Sequence, residues 1–208
     1  MIADERASIL ETFEELTDEQ WEVRSLCGHW SVRQVLGHLV IAGDPPMGRF
    51  LLEMAKAAGR FDLAQDRLAK AEAARPTAEL LAAYRARVHK RFAPPGFGPR
   101  APLTDVVLHS FDVRIPLGLS TERPAERYVP CLELLLDRRA LIVFVPRGRP
   151  KLRWVATDLA WEHGTGDEVQ GTMADLACAA SGREARLGAL GGPGQLALTS
   201  WLDGLRGS

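Results

Sequence analysis

The most informative local pattern in the chain is Leu26-Cys27-Gly28-His29-Trp30-Ser31-Val32-Arg33-Gln34-Val35-Leu36-Gly37-His38-Leu39. It contains the clearest start of a helix in the chain, because Ser31 is a favoured N-cap residue and Gln34, three residues later, completes a capping box. Apolar residues then recur at helical spacing and form one face. His38 lies beside that face. The stretch therefore predicts a helix that begins at Val32 and points an imidazole at the interior of a helical bundle or at its rim.

A second stretch, Thr104-Asp105-Val106-Val107-Leu108-His109-Ser110-Phe111-Asp112, carries further side chains that can do chemistry. Thr104 can cap a helix, and Asp105 would then lie in the first turn, where a carboxylate suits the helix dipole. Asp105 and His109 are four residues apart and therefore share one helix face. If this helix packs against the first one, three metal ligands meet: His38, Asp105 and His109.

The rest of the first 118 residues has the same helical character. Apolar residues recur at helical spacing over residues 4–16, within 47–74, and over 80–92. Pro116 and Gly118 then end the helix that carries the second stretch. This part of the chain is predicted to form an antiparallel helical bundle.

The pattern changes after Ser120, where shorter elements and strand-like alternation begin. The predicted elements are a helix from Tyr128 to Val145, a strand over residues 152–156, a helix from Thr172 to about Ser181, and a last short strand over residues 196–198.

Length and composition agree with this division. The 208 residues suit one large domain or two small ones, and the hydrophobic fraction of 46% can fill a core. The predicted fold class is α+β. An up-down four-helix bundle over residues 1–120 is followed by a small α+β domain over residues 121–208.

Charge and composition also exclude several function classes. Lys and Arg total 26 and Asp and Glu total 27, for a net charge of -1, so no basic excess favours nucleic acid or anionic lipid. No apolar run approaches the roughly 20 residues of a membrane span, and the first residues lack the layout of a signal peptide. The three cysteines are widely separated, which indicates reduced thiols. We therefore predict a cytoplasmic protein without nucleic-acid or membrane partners.

The candidate triad has chemistry that suits a catalytic metal. Imidazole and carboxylate bind Zn²⁺ and similar divalent ions, and three protein ligands leave one position for water or a substrate atom. The spacing is also compatible with less specific roles. His109 and Asp105 can form an ion pair on a helix surface, and His38 can be a buried histidine that bonds to the backbone. Asp112 either orients His109 from behind or faces water.

Other residues are also candidates for metal ligands or substrate contacts. Cys27 is expected to pack near Trp30, and His29 is expected to face solvent. His163 lies beside a turn and has no evident partner. Two arginines, Arg114 and Arg183, either bind a substrate carboxylate or carry solvated charges at helix ends.

As a set, these residues resemble a known family. Residues 16–21 and 25–39 resemble the N-terminal domain of the mycothiol-dependent maleylpyruvate isomerase family, which belongs to the DinB-like four-helix bundle superfamily. Residues 105–114 resemble the second metal motif of that family, Glu-x-x-x-His-Gly-x-Asp. The region from residue 152 to residue 183 is similar to the family's C-terminal domain, which is itself similar to sterol carrier proteins.

The resemblance implies a metal site and a cofactor. The metal triad of the family falls on His38, Asp105 and His109, and the metal is commonly zinc. It activates the thiol of mycothiol, which then adds to an electrophilic substrate in an isomerisation or an S-transfer. The chain departs from the family at three positions: Asp105 replaces Glu, Ser110 replaces Gly, and His29 replaces the Gly of a Pro-Gly-Trp turn.

The leading functional hypothesis is therefore a metal-dependent enzyme that uses mycothiol as an isomerase or S-transferase. Its partners would be a small-molecule thiol and an electrophilic substrate. One alternative is a non-catalytic protein that binds an apolar, lipid-like molecule in the C-terminal domain. The other is a metal-binding regulatory protein. No residue is assigned as a general base or as a contact of mycothiol.

Overall fold

The computed structural model describes residues 1–93, 96, 98–138 and 144–206. The chain divides into two compact units, residues 1–119 and residues 120–208. The first is helical and the second combines helices with a small sheet, in agreement with the predicted fold class. Within the described ranges, no helix combines the length and the apolar character that a membrane crossing requires.

Among its described residues, the first unit contains seven helices: α1 (Ile2–Glu14), α2 (Asp18–Trp21), α3 (Val32–Gly43), α4 (Met47–Lys56), α5 (Phe61–Ala73), α6 (Thr77–Arg85) and α7 (Arg100–Arg114). Helix α3 is in contact with four of the others, since it packs against α5, α6 and α7 and also touches α2. Helix α1 packs against α6 and α7.

The helix α3 begins where the sequence predicts it. Ser31 and Gln34 form the capping box, in which the Ser31 backbone N–H donates to Gln34 Oε1 over 3.0 Å. One face of the helix is fully buried and joins a core that also draws on α1, α6 and α7. This core includes Ile9, Phe13, Val35, Leu36, Tyr84 and Val106.

The helices α3 and α5 lie close together, and both a short backbone approach and side-chain hydrogen bonds define their contact. A Cβ added at Gly37 would lie 2.5 Å from the carbonyl oxygen of Ala69, so only glycine allows the two backbones to approach this far. Arg33 donates to the carbonyl oxygens of Ala73 and Arg75, both over 2.8 Å, and so satisfies backbone groups where α5 ends. These contacts hold α3 in place next to α5.

The helix α7 begins earlier than the sequence analysis expected. It starts at Arg100, and Thr104 is fully buried inside it, so the prediction that Thr104 caps the helix is wrong. Pro102 lies in the first turn, where the missing N–H costs nothing, and the helix can therefore include it. As a result Asp105 lies in the second turn rather than the first.

The second unit contains a three-stranded sheet, three α-helices and two short 3₁₀ helices among its described residues. In chain order these are a 3₁₀ helix at Ala125–Tyr128, α8 (Val129–Leu136), β1 (Leu152–Ala156), β2 (Glu162–Gly164), β3 (Asp167–Gly171), α9 (Met173–Ala180), a 3₁₀ helix at Leu187–Ala189 and α10 (Gln195–Arg206). The sheet has the order β2-β1-β3; β1 runs antiparallel to β2 and parallel to β3.

Two sequence predictions in this unit differ from the structure. The short strand expected at residues 196–198 is wrong, because these residues belong to α10, whose buried Leu198, Trp201 and Leu202 follow helical spacing. The helix expected from Tyr128 to Val145 is shorter: α8 ends at Leu136. Residues 139–143, which carry most of the predicted apolar run, lie outside the described residues.

Candidate metal centre

The structure brings the three predicted ligands together inside the first unit. His38 comes from α3, and Asp105 and His109 come from successive turns of α7. The Asp105 Oδ1 atom lies 3.4 Å from His38 Nε2 and 3.6 Å from His109 Nε2. Both histidines are buried, whereas the Asp105 side chain is 21% exposed. The cluster is therefore enclosed by protein and reached by solvent at its carboxylate.

These distances suit a metal ion better than hydrogen bonds. Zinc binds imidazole nitrogen and carboxylate oxygen at about 2.0–2.2 Å, so ligand atoms around a tetrahedral zinc ion are about 3.4 Å apart. The two separations at Asp105 Oδ1 are close to that value, while a strong hydrogen bond would be shorter. One ligand atom from each of His38, Asp105 and His109 lies within 4.8 Å of the others. The donor set therefore suits a divalent ion.

A buried carboxylate orients one of the imidazoles. Asp112 is fully buried, and its Oδ2 atom lies 2.8 Å from His109 Nδ1. The alternative in which Asp112 faces water is therefore wrong. A proton on Nδ1 that is donated to Asp112 leaves the lone pair of His109 on Nε2, which faces Asp105. In metal sites, carboxylates that do not themselves bind the ion commonly orient ligand histidines in this way.

The ring of Trp30 packs on both histidines. Its centroid lies 5.2 Å from that of His38 and 6.2 Å from that of His109, and its Nε1–H donates to Asp66 over 2.9 Å. His38 Nδ1 is buried and has no hydrogen-bond partner within the described part of the chain. The orientation of His38 therefore rests on packing against Trp30 and on its approach to Asp105.

The charge state of Asp105 follows from its neighbours. Burial is the largest single influence and acts to raise the pKa, but the imidazoles of His38 and His109 and the guanidinium of Arg6 together lower the pKa of Asp105 below its ordinary value. The group is therefore ionised at neutral pH. An ionised carboxylate can bind a cation without first releasing a proton.

The other candidates from the sequence lie in different surroundings. His29 Nδ1 lies 3.3 Å from Arg24, and His163 stacks on Trp161 in the sheet of the second unit. Arg114 is buried and donates to Ser8 and Thr12, so it ties α7 to α1 instead of serving as an exposed helix-end charge. Arg183 donates to Ser181 Oγ over 3.1 Å.

The second unit contains a cavity whose lining comes from segments that are separated in the sequence, so no local sequence pattern predicts it. The cavity has a volume of about 510 Å³. Charged and hydroxyl side chains contribute much of the lining. The polar lining residues are Thr121, Glu122, Arg123, Asp158, Thr172 and Arg186.

Comparison with known proteins agrees with the sequence resemblance. Residues 2–93 match the family model of the mycothiol maleylpyruvate isomerase N-terminal domain, a match that includes His38 and ends before α7. The sequence matches no curated protein at a significant level.

Two solved structures share the fold. One is a histidine-to-alanine variant of the mycothiol-dependent maleylpyruvate isomerase, with a TM-score of 0.62 and 10% identity over 92% of this chain and 90% of that chain. The other is the mycothiol-dependent maleylpyruvate isomerase, with a TM-score of 0.54 and 12% identity over the same shares. Residues 2–93 of this chain therefore match the mycothiol maleylpyruvate isomerase N-terminal domain, and the chain shares the fold of the two solved structures.

Proposed function

We propose that this protein is a metal-dependent enzyme that uses mycothiol and acts as an isomerase or an S-transferase on an electrophilic small molecule. The observation that carries the proposal is the position of Asp105 Oδ1 between the Nε2 atoms of His38 and His109. The match of residues 2–93 to the N-terminal domain model and the shared fold support it.

In this proposal His38, Asp105 and His109 hold the ion, and zinc is one of the divalent ions that two imidazoles and one carboxylate bind. A bound zinc ion would supply a thiolate near neutral pH by lowering the pKa of a coordinated thiol. Asp112 keeps the Nε2 lone pair of His109 directed at the site, and Trp30 covers the two rings and limits their contact with water.

The shorter side chain of Asp105 is compatible with this role. The family usually has Glu at this position, and the loss of one methylene moves a carboxylate back toward its helix. Asp105 Oδ1 nevertheless approaches both imidazoles to within 3.6 Å. The replacement therefore leaves a ligand set of the same chemistry.

Metal content of the untagged protein is the first test. We expect about one equivalent of zinc or a similar ion in the wild type, and loss of that ion in His38→Ala and His109→Ala. His29→Ala, which changes an imidazole that contacts Arg24, is the matched control and should keep the ion.

A measurement of thiol binding then distinguishes the proposed enzyme from the alternative of a metal-binding regulatory protein. Mycothiol should bind the metal-loaded protein and not the metal-free protein in calorimetric titrations. If mycothiol binds equally well after the metal is removed, the proposed role of the ion is wrong. If metal binds but mycothiol does not, the regulatory alternative is favoured.

A further inference from the structure

A second group of possible ligands lies around the same histidine. The Sγ atom of Cys27, a ring nitrogen of His109 and a carboxylate oxygen of Asp112 all lie within 4.8 Å of one another. This group shares only His109 with the triad. It adds a thiol, a ligand type that the triad lacks.

The loop that carries Cys27 is held against α7. The backbone N–H of Leu26 donates to the carbonyl oxygen of Asp112 over 3.1 Å. Ser25 Oγ accepts from the Cys27 N–H over 3.1 Å and donates to the Trp30 carbonyl oxygen over 2.8 Å. The thiol is thus fixed beside the His109–Asp112 pair, and it is only partly buried.

The two ring nitrogens of His109 face different groups. Nδ1 lies 2.8 Å from Asp112 Oδ2, and Nε2 lies 3.6 Å from Asp105 Oδ1. A neutral imidazole has one lone pair, so it can serve only one side at a time. With the proton on Nδ1 it completes the triad; with the proton on Nε2, its lone pair faces Asp112 Oδ2.

We propose that Cys27, His109 and Asp112 form an alternative position for a soft, thiophilic cation, exclusive of the triad because both need His109. The cation binds the Cys27 thiolate, and the thiol proton leaves to solvent. Thiolate is the ligand that soft ions select, whereas imidazole with carboxylate suits borderline and harder ions. This inference does not require the triad to hold a metal, so it goes beyond the proposed function.

Cadmium binding to a protein without the triad tests the inference. In His38→Ala the triad lacks a ligand, but the second group is intact. We expect about one equivalent of Cd²⁺ to bind, with an ultraviolet charge-transfer band from thiolate to cadmium. The double variant His38→Ala/Cys27→Ser should lose the band and bind Cd²⁺ at least about tenfold more weakly.

A matched control addresses the other thiols. Cys131 is buried in the second unit, and His38→Ala/Cys131→Ala should keep the band of the single variant. Should His38→Ala fail to fold, as judged by circular dichroism, Asp105→Asn removes a triad ligand with little change in shape and permits the same comparison.

Each outcome decides the matter. A folded triad variant without a thiolate band overturns the inference, as does a band that persists without Cys27. If the band depends on Cys27, the inference is supported. If the wild type also holds no zinc, that separate result counts against the proposed function and leaves the inference standing.

Discussion

The chemistry of the candidate site depends on one imidazole with a carboxylate at each nitrogen. Asp112 is fully buried and contacts Nδ1 of His109, while Asp105 is partly exposed and approaches Nε2. The buried carboxylate cannot move or be solvated easily, so it is suited to hold the ring. The exposed one is suited to meet an ion that arrives from solvent.

The Asp112→Asn variant tests whether the Asp112 carboxylate holds the ring of His109 in position for metal binding. An amide oxygen still accepts from His109 Nδ1–H but carries no charge, so we expect zinc affinity to fall by about 10–100-fold. Competition with a chromophoric chelator measures this. Asp175→Asn removes a buried carboxylate from the second unit and controls for general destabilisation; its zinc affinity should match the wild type. Equal affinities in all three proteins would refute the role of Asp112.

The lowered pKa of Asp105 predicts a pH dependence of stability in the metal-free protein. The carboxyl of an unfolded chain titrates at about pH 3.9. The folded protein binds this proton less tightly, so ionised Asp105 adds stability above that pH, and the gain is lost as the pH falls through the lowered folded-state pKa.

Urea unfolding of the metal-free wild type and of Asp105→Asn checks this sign. The wild type should be the more stable protein near neutral pH, and the difference should shrink below about pH 4. Asp62→Asn, at an exposed position, controls for the loss of one negative charge. A difference that stays constant down to about pH 3 would contradict the prediction.

At the scale of elements, the approach of α3 to α5 depends on a single glycine. A Cβ at Gly37 would lie 2.5 Å from Ala69 O and 3.0 Å from Ala73 N, and neither backbone atom can rotate away. We expect Gly37→Ala to lower the free energy of unfolding by about 1–3 kcal/mol, because overpacking outweighs the better helix propensity of alanine.

The matched control for Gly37 is another helical glycine. Gly48 lies in α4, where an added Cβ meets nothing within 4 Å. Gly48→Ala should leave the free energy of unfolding unchanged or raise it by up to about 1 kcal/mol. Urea denaturation of both variants measures the contrast, and equal effects would show that α3 and α5 do not need this close approach.

The elements also show where sequence patterns are sufficient. The predicted start of α3 is correct because a capping box consists of hydrogen bonds between side chains and backbone groups that lie within a few residues of one another. The predicted start of α7 is wrong, because Thr104 is a residue type that often caps helices but here lies buried inside the helix. The short apolar run near Leu198 fitted a strand or a helix, and burial against the second unit's core decided for the helix.

At the scale of the molecule, the candidate metal centre and its supporting side chains lie in one unit. The triad, Asp112, Trp30 and Arg6 all belong to residues 1–119. The core of this unit draws on α1, α3, α6 and α7. Both the ligands and the packing that positions them are therefore contained in this part of the chain.

A fragment of residues 1–119 tests this containment and the domain boundary predicted at residue 120. It should unfold cooperatively and bind zinc with the stoichiometry of the full chain. Circular dichroism melting and metal analysis of the fragment provide the readings. The full chain serves as reference, and a fragment that is folded but free of metal would show that the second unit contributes to the site.

Local sequence patterns were sufficient to predict features that depend on neighbours along the chain: the start of α3, the shared face of Asp105 and His109, and the change from helices to an α+β unit. Helical period and capping are local, so a short window contains them. The folded chain was needed to show that His38 meets Asp105, 67 residues away, and that Asp112 is buried next to His109 and Cys27. Which helix faces meet depends on the packing of distant elements, and no single window of the sequence contains that information.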